Sequence, residues 1–326
     1  MAMVTGLAPV VGVPLPLVSY GGSAMLPAAW DEYQAPLTKA LSDAGLNANL
    51  SCEIPPADVD YIVLAPNGPV SDFGPYVKTK AVLNLWAGVE SIVHNQTLTQ
   101  SLARMVDDGL TRGMVEWVVG HVLRHHLGMD THILGQDGEW RTSYPPLAAD
   151  RSVTILGLGE LGAACAQALV TLGFPVTGWS RNPKSVAGVR CLHGDAGLAQ
   201  SLSDAQIVVL LLPDTPATHN VLDAERLALM ARGAFVVNPG RGSLIDDDAL
   251  LAALDSGQIA HATLDVFRIE PLPSEHPFWA HPRVTVTPHI ASTTRPDTAS
   301  QIIAENIQRC ESGLPLLHLV DRAAGY

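Results

Sequence analysis

The 326-residue sequence has few positive charges and no run of them. Nineteen Lys and Arg stand against 32 Asp and Glu, which gives a net charge of −13. No basic stretch with interleaved aromatic residues offers a surface for a phosphate backbone, which argues against a nucleic-acid partner. The sequence also lacks a run of about 18 apolar residues, the length that crosses a bilayer. We therefore expect neither a nucleic-acid partner nor a membrane partner.

Cysteine is scarce, and its spacing carries no metal or disulfide signature. The four cysteines form no CxxC pair, which argues against a zinc knuckle and against a disulfide framework. They are Cys52, Cys165, Cys191 and Cys310. His121 and His125 lie one helical turn apart, but no Glu follows His121 as the HExxH zinc motif requires. We expect no metal site, a solvated or interface helix face at these histidines, and a cytoplasmic location.

The start of the chain lacks the charge that a secretory signal needs. No Lys or Arg precedes Lys39, so the positive n-region of a signal peptide is missing. Prolines at positions 9, 14 and 16 interrupt any helix in the apolar stretch Met1–Val18. This stretch predicts an irregular entry and a strand.

Short apolar runs alternate with helical patterns along the rest of the chain. The segment up to Leu85 predicts a small α/β unit, and a second unit begins at Arg151 after a polar, proline-containing connector. In the second unit, runs such as Ile207–Leu212 are continuously apolar, which is typical of strands covered on both faces. The pattern predicts a doubly wound parallel sheet.

A glycine-rich turn follows the first strand of this second unit. Gly157, Gly159 and Gly162 form GxGxxG between a strand and a helix, the context that makes the motif a dinucleotide fingerprint. The glycines permit a tight turn, close approach of a pyrophosphate and close helix packing, and the helix N-terminus attracts the anion. The alternative is a glycine-rich turn without a ligand. Glu160 lies inside this loop, and we expect its side chain to point outward.

The next strand ends without the carboxylate that usually holds the adenosine ribose. Ser180, Arg181 and Lys184 stand there instead. A carboxylate repels a 2′-phosphate, whereas a guanidinium beside a hydroxyl binds it. The segment predicts NADPH as cofactor, with NADH bound more weakly. The alternative is that these charges are merely solvated.

Four further polar residues follow predicted strands. Arg241 lies in "NPGRGSLID", Asp265 and Glu270 lie in "LDVFRIEPLP", and His289 lies in "TPHIAS". Since ligands gather at the carboxyl ends of strands in open α/β sheets, these side chains could face one cleft. Reduction of a ketone needs a proton donor near neutral pH and a fixed cation, which histidine and arginine supply.

Together these motifs resemble the D-isomer-specific 2-hydroxyacid dehydrogenase family. The resemblance rests on "GLGELG", "NPGRGSLIDDDALLAAL", "LDVFRIEPLP" and "TPHIAS" in the family's order, and it spans most of the chain from "NLWAGVES" onward. The segments "GWSRNPKS" and "VDRAAGY" are most similar to a bacterial, NADPH-preferring branch. That branch reduces small 2-oxo acids, glyoxylate to glycolate and hydroxypyruvate to glycerate.

The resemblance implies a role for each matching residue. Arg241 would bind the carboxylate and carbonyl of the 2-oxo acid, and His289, paired with Glu270, would donate the proton. The backbone N–H groups of Ala87, Gly88 and Val89 would also donate hydrogen bonds to the substrate carboxylate. The expected cofactor contacts are Gly157, Gly159, Glu160, Leu161, Gly162, Ser180, Arg181, Lys184, Pro213, Thr218 and Asp265, the last of them to the nicotinamide carboxamide. Departures from the family pattern are Glu160 and Pro239.

The resemblance also implies an α/β fold of two Rossmann-like domains in a homodimer. A doubly wound cofactor domain would cover 113–292, and a smaller flavodoxin-like substrate domain would cover 1–112 and 293–326. Trp140 resembles an aromatic residue that some dimers of the family insert into the partner's site. Two alternatives remain open at this point. One is an NAD-linked dehydrogenase of a bulkier D-2-hydroxy acid, and the other is a non-catalytic dinucleotide-sensing protein on the same fold.

Overall fold

The computed structural model describes residues 17–19, 30–51, 54–64 and 70–326. The irregular entry expected over Met1–Val18 lies outside the described residues except for its last two positions, which begin a strand. Cys52 also lies outside them.

The described chain alternates strands and helices throughout. The strands are β1 (Leu17–Ser19), β2 (Asn49–Ser51), β3 (Tyr61–Leu64), β4 (Ala81–Asn84), β5 (Ser101–Ala103), β6 (Val153–Leu156), β7 (Val176–Ser180), β8 (Val189–His193), β9 (Ile207–Leu210), β10 (Ala234–Asn238), β11 (Ile259–Leu264) and β12 (Val284–Val286). The helices are α1 (Trp30–Asp43), α2 (Asp108–Leu127), α3 (Met129–Ile133), α4 (Glu160–Thr171), α5 (Gly194–Leu202), α6 (Ala224–Leu229), α7 (Asp247–Asp255), α8 (Pro277–Ala280) and α9 (Pro296–Glu311). Among these described helices, none combines the length and the apolar character that a membrane span needs.

The chain divides into two compact units. Unit 1 comprises Met1–Gly109 and Thr294–Tyr326, and unit 2 comprises Leu110–Thr293. The first unit is therefore discontinuous in sequence, and its last helix comes from the C-terminal end of the chain. The assignment of 113–292 as cofactor domain and of 1–112 with 293–326 as substrate domain stays a prediction.

Unit 1 is built on a five-stranded sheet in the order β2-β1-β3-β4-β5. Helices α1 and α9 pack against each other. Each contributes apolar residues four positions apart to the core, Leu37 and Leu41 from α1 and Ile303 and Ile307 from α9. The strand order is that of flavodoxin, but β1 runs antiparallel to both of its neighbours. Antiparallel pairing satisfies the backbone groups of so short a strand as well as parallel pairing would.

Unit 2 is built on a seven-stranded sheet in the order β12-β11-β10-β9-β6-β7-β8. All of its strand pairs are parallel. Apolar clusters lie on both faces of the sheet, and every residue of β6 and β9 is buried. The predicted doubly wound α/β sheet is thus confirmed. The strand order reverses beside β6, which places the glycine-rich turn after β6 at the switch point where such sheets bind ligands.

Of the two histidines considered, His125 is buried and His121 is half-buried, so the expectation of a solvated or interface helix face was wrong for His125. His125 is 4% exposed and stacks on Phe235 with ring centroids 4.8 Å apart. Its Nε2 lies 2.9 Å from the hydroxyl of Thr263, and Nε2 of His261 lies 2.8 Å from the hydroxyl of Thr285. Stacking and hydroxyl partners let these imidazoles pack in the unit 2 core as neutral rings. Among the described residues, no group of three or more histidine, cysteine, aspartate or glutamate side chains is placed so that it could hold a metal ion.

Burial of these histidines predicts a loss of stability in acid. Desolvation, followed by neighbouring cations, lowers the pKa of His125 to about 3 and that of His261 to about 4. Because both rings bind protons more readily when unfolded, their contribution to stability is complete above about pH 6.5 and is lost as the pH falls toward these values. For His125 the slope is on the order of 1 kcal/mol per pH unit.

The measurement is the urea midpoint of unit 2 unfolding between pH 7.5 and pH 4.5. We expect a double variant with His125→Gln and His261→Gln to show a shallower pH dependence than the unmodified chain, even if it is less stable at neutral pH. Equal slopes in the two proteins would contradict a role of these histidines.

Candidate active site

Adjacent strands of unit 2 deliver the three candidate catalytic residues to one edge of the sheet. Strands β10, β11 and β12 are parallel neighbours, so their carboxyl ends meet. Arg241 follows β10, Glu270 follows β11 and His289 follows β12. The structure therefore brings together the cation, the carboxylate and the imidazole that the sequence predicted.

The loop that carries Arg241 is held by an asparagine and by close backbone packing. The buried Asn238 donates from its amide to the carbonyl of Arg241 at 2.9 Å and accepts from the N–H of Gly240 at 3.1 Å. A Cβ at Gly242 would lie 2.0 Å from the carbonyl carbon of Phe267. Only glycine fits at position 242, and this contact keeps the Arg241 loop against the start of the Glu270 segment.

His289 and Glu270 form a hydrogen-bonded pair. Nδ1 of His289 lies 2.7 Å from Oε2 of Glu270, and the other carboxylate oxygen accepts the N–H of Phe267 at 2.8 Å. The Glu270 carboxylate is thus held between the N–H of Phe267 and the imidazole of His289, and it orients Nδ1–H toward itself. With half of the His289 side chain exposed, Nε2 is the nitrogen left for a ligand.

The same pair shifts the proton affinity of both partners. The hydrogen bond to Glu270 raises the pKa of His289, opposed by burial and by the Arg241 cation and assisted by the charge of Asp265. Burial works to raise the pKa of Glu270, but the hydrogen bonds from His289 and from the Phe267 amide together lower it. An imidazole with a raised pKa is a proton donor suited to neutral pH.

Asp265 organises the turn on which His289 lies. Its carboxylate is fully buried and accepts hydrogen bonds from the hydroxyl of Thr287 at 2.5 Å, from the N–H of Ile290 at 2.9 Å and from the N–H of Ala291 at 2.8 Å. The N–H of His289 donates to the backbone carbonyl of Asp265 at 2.8 Å. These bonds hold His289 in the left-handed region, at φ +53°. A contact from Asp265 to a nicotinamide carboxamide stays a prediction.

The glycine-rich turn has the shape that a pyrophosphate requires. Gly157 has φ +108°, and a Cβ there would lie 2.4 Å from the carbonyl oxygen of Leu211. A Cβ at Gly162 would lie 1.8 Å from the carbonyl oxygen of Gly157, whereas a Cβ at Gly159 would meet no atom within 4 Å. Backbone atoms therefore pack closely against Gly157 and Gly162, whereas the space beside Gly159 is open.

The helix that follows leaves its first N–H groups to a ligand. No side chain of the described residues caps α4, which begins at Glu160. The Glu160 side chain is exposed, as expected, and Leu161 is half-buried. An uncapped helix N-terminus behind an open glycine loop fits a dinucleotide pyrophosphate.

The glycine-rich turn Gly157–Gly162 and the first turn of α4 together form a cradle, and two loops flank it. Arg181 and Lys184 are exposed, and the largely buried Ser180 donates its hydroxyl to the carbonyl of Asn182 at 2.8 Å. In the loop after β9, the buried Thr218 hydroxyl donates to the carbonyl of Pro213 at 2.7 Å and accepts the N–H of Thr215 at 2.9 Å. The Ser180 and Thr218 hydroxyls therefore shape their own loops.

In unit 1, the predicted substrate amides lie in a loop after β4. Ala87 and Gly88 are half-buried and Val89 is buried. The buried Asn84 donates its amide to the carbonyls of Trp86 at 2.8 Å and Gly88 at 2.9 Å, which bends the loop back on the strand end. This fixes the backbone direction of the loop.

Sequence reasoning missed three residues that shape these loops: Asn84, Asn238 and Arg268. Both asparagines end an apolar strand, and a polar residue at that position was a readable signal. Arg268 lies two residues before Glu270, and nothing in the pattern distinguished it from a solvated charge. Its side chain reaches across to the loops of Asn220 and Ile245.

Comparison with protein families places unit 2 among known cofactor domains. The family model described as "D-isomer specific 2-hydroxyacid dehydrogenase, NAD binding domain" matches residues 117–291. A second model, described as "Cell cycle protein", matches residues 1–30. That match covers less than a tenth of the chain and assigns no family.

Individual relatives cover nearly the whole chain. A glyoxylate/hydroxypyruvate reductase A from Serratia proteamaculans (strain 568) is 39% identical over 304 residues, 91% of this chain and 96% of the relative. The crystal structure of a D-isomer specific 2-hydroxyacid dehydrogenase from Xanthobacter autotrophicus Py2, in complex with NADPH and MES, is 41% identical. It aligns with a TM-score of 0.86 over 92% of this chain and 98% of that one.

A third relative comes from Sinorhizobium meliloti. This NADPH-dependent glyoxylate/hydroxypyruvate reductase, solved in complex with NADP and sulfate, is 34% identical. It aligns with a TM-score of 0.78 over 90% of this chain and 96% of that one.

The geometry of the His289–Glu270 pair predicts how loss of the Glu270 charge changes the pKa of His289. In Glu270→Gln the hydrogen bond to Nδ1 can persist but the negative charge is lost, so the pKa of His289 should fall below its value in the unmodified chain. Titration of ¹⁵N-histidine-labelled protein by NMR measures this value, with His289→Asn identifying the signal. Glu275→Gln, which neutralises an exposed carboxylate five residues further along the chain, should leave it unchanged. If Glu270→Gln behaved like this control, the pairing would be wrong.

Proposed function

The chain belongs to the D-isomer-specific 2-hydroxyacid dehydrogenase family, and on this premise we propose that it is an NADPH-dependent reductase of small 2-oxo acids. Glyoxylate and hydroxypyruvate are the proposed substrates, as the names of its relatives suggest. The observation that carries the proposal is the His289–Glu270 pair at 2.7 Å, beside Arg241 at the same edge of the sheet. A protein that only sensed a dinucleotide would have no need of this proton donor.

Each residue at this edge of the sheet has its own role in the proposed reduction. The bound nicotinamide cofactor supplies the hydride that reduces the carbonyl carbon. His289 donates a proton from Nε2 to the carbonyl oxygen, so that the carbonyl group becomes a hydroxyl group. Glu270 holds Nδ1 and stabilises the imidazolium before transfer. Arg241 binds the substrate carboxylate through its planar fork and stabilises the negative charge that develops on oxygen.

The cofactor is assigned to the cradle of unit 2. Gly157, Gly159 and Gly162 with the first turn of α4 would hold the pyrophosphate. Arg181 and Lys184 would bind the 2′-phosphate that distinguishes NADPH from NADH, in a segment whose sequence, "GWSRNPKS", contains no Asp or Glu. In unit 1, the amides of Ala87, Gly88 and Val89 keep their proposed role as donors to the substrate carboxylate.

We also propose that the protein is a cytoplasmic homodimer. Support comes from one segment of unit 2, residues 127–147, which exposes several large apolar side chains: Leu127, Met129, Ile133, Leu134, Trp140, Tyr144 and Leu147. Apolar surface gathered on one segment is typical of an interface. Cys165, Cys191 and Cys310, the cysteines within the described residues, are free thiols, as a reducing compartment favours.

The reductase activity is tested with a panel of 2-oxo acids. We expect NADPH oxidation with glyoxylate and hydroxypyruvate, less with pyruvate and least with a bulkier 2-oxo acid. His289→Asn is the matched catalytic variant because asparagine tolerates positive φ. Its turnover should fall by about two to four orders of magnitude while NADPH affinity is kept. Near-normal turnover in this variant, or a preference for NAD and a bulky 2-hydroxy acid, would contradict the proposal.

Cofactor preference is tested at Arg181. If its guanidinium binds the 2′-phosphate, Arg181→Ala removes a charge-assisted contact worth on the order of 1.5 to 3 kcal/mol. The Michaelis constant for NADPH should then rise roughly ten- to a hundredfold, and that for NADH should hardly change. Arg190→Ala, which removes an exposed arginine from β8, is the control. An equal loss for both cofactors would leave Arg181 as a solvated charge.

A further inference from the structure

The segment that carries Glu270 has little backbone support. In the described part of the chain, no backbone–backbone hydrogen bond involves residues 266–272. Apolar side chains anchor its two ends, Val266 and Phe267 at the start and Leu272 at the end. Between these anchors Ile269 points to solvent, 66% exposed. The middle of the segment therefore depends on side chains for its position.

Two side chains fix this middle part. The Glu270 carboxylate closes back on the N–H of Phe267 at 2.8 Å, which holds the segment to itself. Besides the Glu270–His289 pair, Arg268 ties it to neighbouring loops. Its guanidinium donates to the backbone carbonyl of Ile245 and to the side-chain oxygen of Asn220, and it lies 3.5 Å from the carboxylate of Asp247.

The loops that Arg268 reaches belong to the same active-site edge. Ile245 follows the Arg241 turn, and Asp247 begins α7 immediately after it. Asn220 lies two residues after Thr218, and its N–H donates to the carbonyl of Ser243 at 2.8 Å. One guanidinium therefore joins the Glu270 segment to the Arg241 turn and to the loop after β9.

From these contacts we propose that Arg268 is a positioning residue, whose guanidinium clamps the Glu270 segment so that the carboxylate meets Nδ1 of His289. The inference rests on the proposed function for its catalytic consequence. The guanidinium of Arg268 contacts His219, Asn220, Ile245 and Asp247 rather than His289 or Arg241, so we place its action through Glu270. Lysine would keep the charge near Asp247 but could not reach Ile245 and Asn220 with one planar fork.

The pKa of His289 tests this clamp, because the two possible roles of Arg268 predict opposite changes of that pKa when Arg268 is removed. The charged side chains that act on His289 are Glu270, Arg241 and Asp265. If Arg268 acted merely as a cation nearby, its removal would raise the pKa of His289. If it holds Glu270 in place, its removal loosens the carboxylate and lowers that pKa. The direction of the shift separates the two roles.

The experiment is an NMR titration of ¹⁵N-histidine-labelled protein without cofactor. Arg268→Ala should lower the pKa of His289 toward the value measured in Glu270→Gln, and Arg268→Lys should lower it less. In a Glu270→Gln background, Arg268→Ala should cause no further fall, because the group it positions has lost its charge. Arg232→Ala is the matched control. It removes a single guanidinium–carbonyl bond, to Ser256 at 2.9 Å, near the amino end of β10.

Kinetics supply the second readout. The turnover of glyoxylate reduction should fall roughly ten- to a hundredfold in Arg268→Ala, with an unchanged Michaelis constant for NADPH and a partial return in Arg268→Lys. An unchanged or raised pKa of His289 in folded Arg268→Ala and Arg268→Lys would overturn the inference. If the unmodified protein reduced no 2-oxo acid while the pKa shifts occurred as expected, the proposed function would fail and the clamp would stand.

Discussion

The active-site edge depends on the parallel register of β10, β11 and β12. Asn238 pairs with Leu264, and Leu264 pairs with Val286, so these three positions lie side by side across the sheet. Arg241 and His289 each follow three residues after this common level. Since paired strands lie about 4.8 Å apart, the register alone brings their loops within reach of one small ligand. A slip of one residue would separate the imidazole from its carboxylate and turn the flanking side chains to the other face.

Register brings the loops together, but Asp265 determines how the imidazole is presented. A non-glycine residue at positive φ costs on the order of 1 kcal/mol or more. Hydrogen bonds to a carboxylate contribute about 1.5 to 3 kcal/mol each, and Asp265 accepts bonds from Thr287, Ile290 and Ala291 around the strained residue. A glycine at 289 would relieve the strain but would remove the imidazole that pairs with Glu270. The fold therefore keeps the strain and offsets it with a buried carboxylate.

The sequence predicted those parts of the site that short-range patterns encode. Apolar runs located the strands, the glycine spacing located the turn after β6, and polar residues at strand ends located Arg241, Glu270 and His289. Contacts between segments distant in sequence were beyond such patterns. Arg268 bonds to Asn220 and Ile245, 48 and 23 residues away. The stacking of His125 on Phe235 and the reversed direction of β1 likewise depend on tertiary packing, which no local pattern contains.

The two ends of the cofactor cradle differ in how firmly they are held, and this difference bears on what each can specify. At the catalytic end, Asp265 and Asn238 are buried and fully engaged, so substitution there disturbs several loops at once. At the ribose end, Arg181 and Lys184 are exposed on a loop whose shape is held by the Ser180 hydroxyl. Charges on such a loop can change without disturbing the sheet, but they act through solvent and weaken with salt. On the proposed assignment, the choice of cofactor lies where substitution disturbs the fold least, and the chemistry lies where it disturbs the fold most.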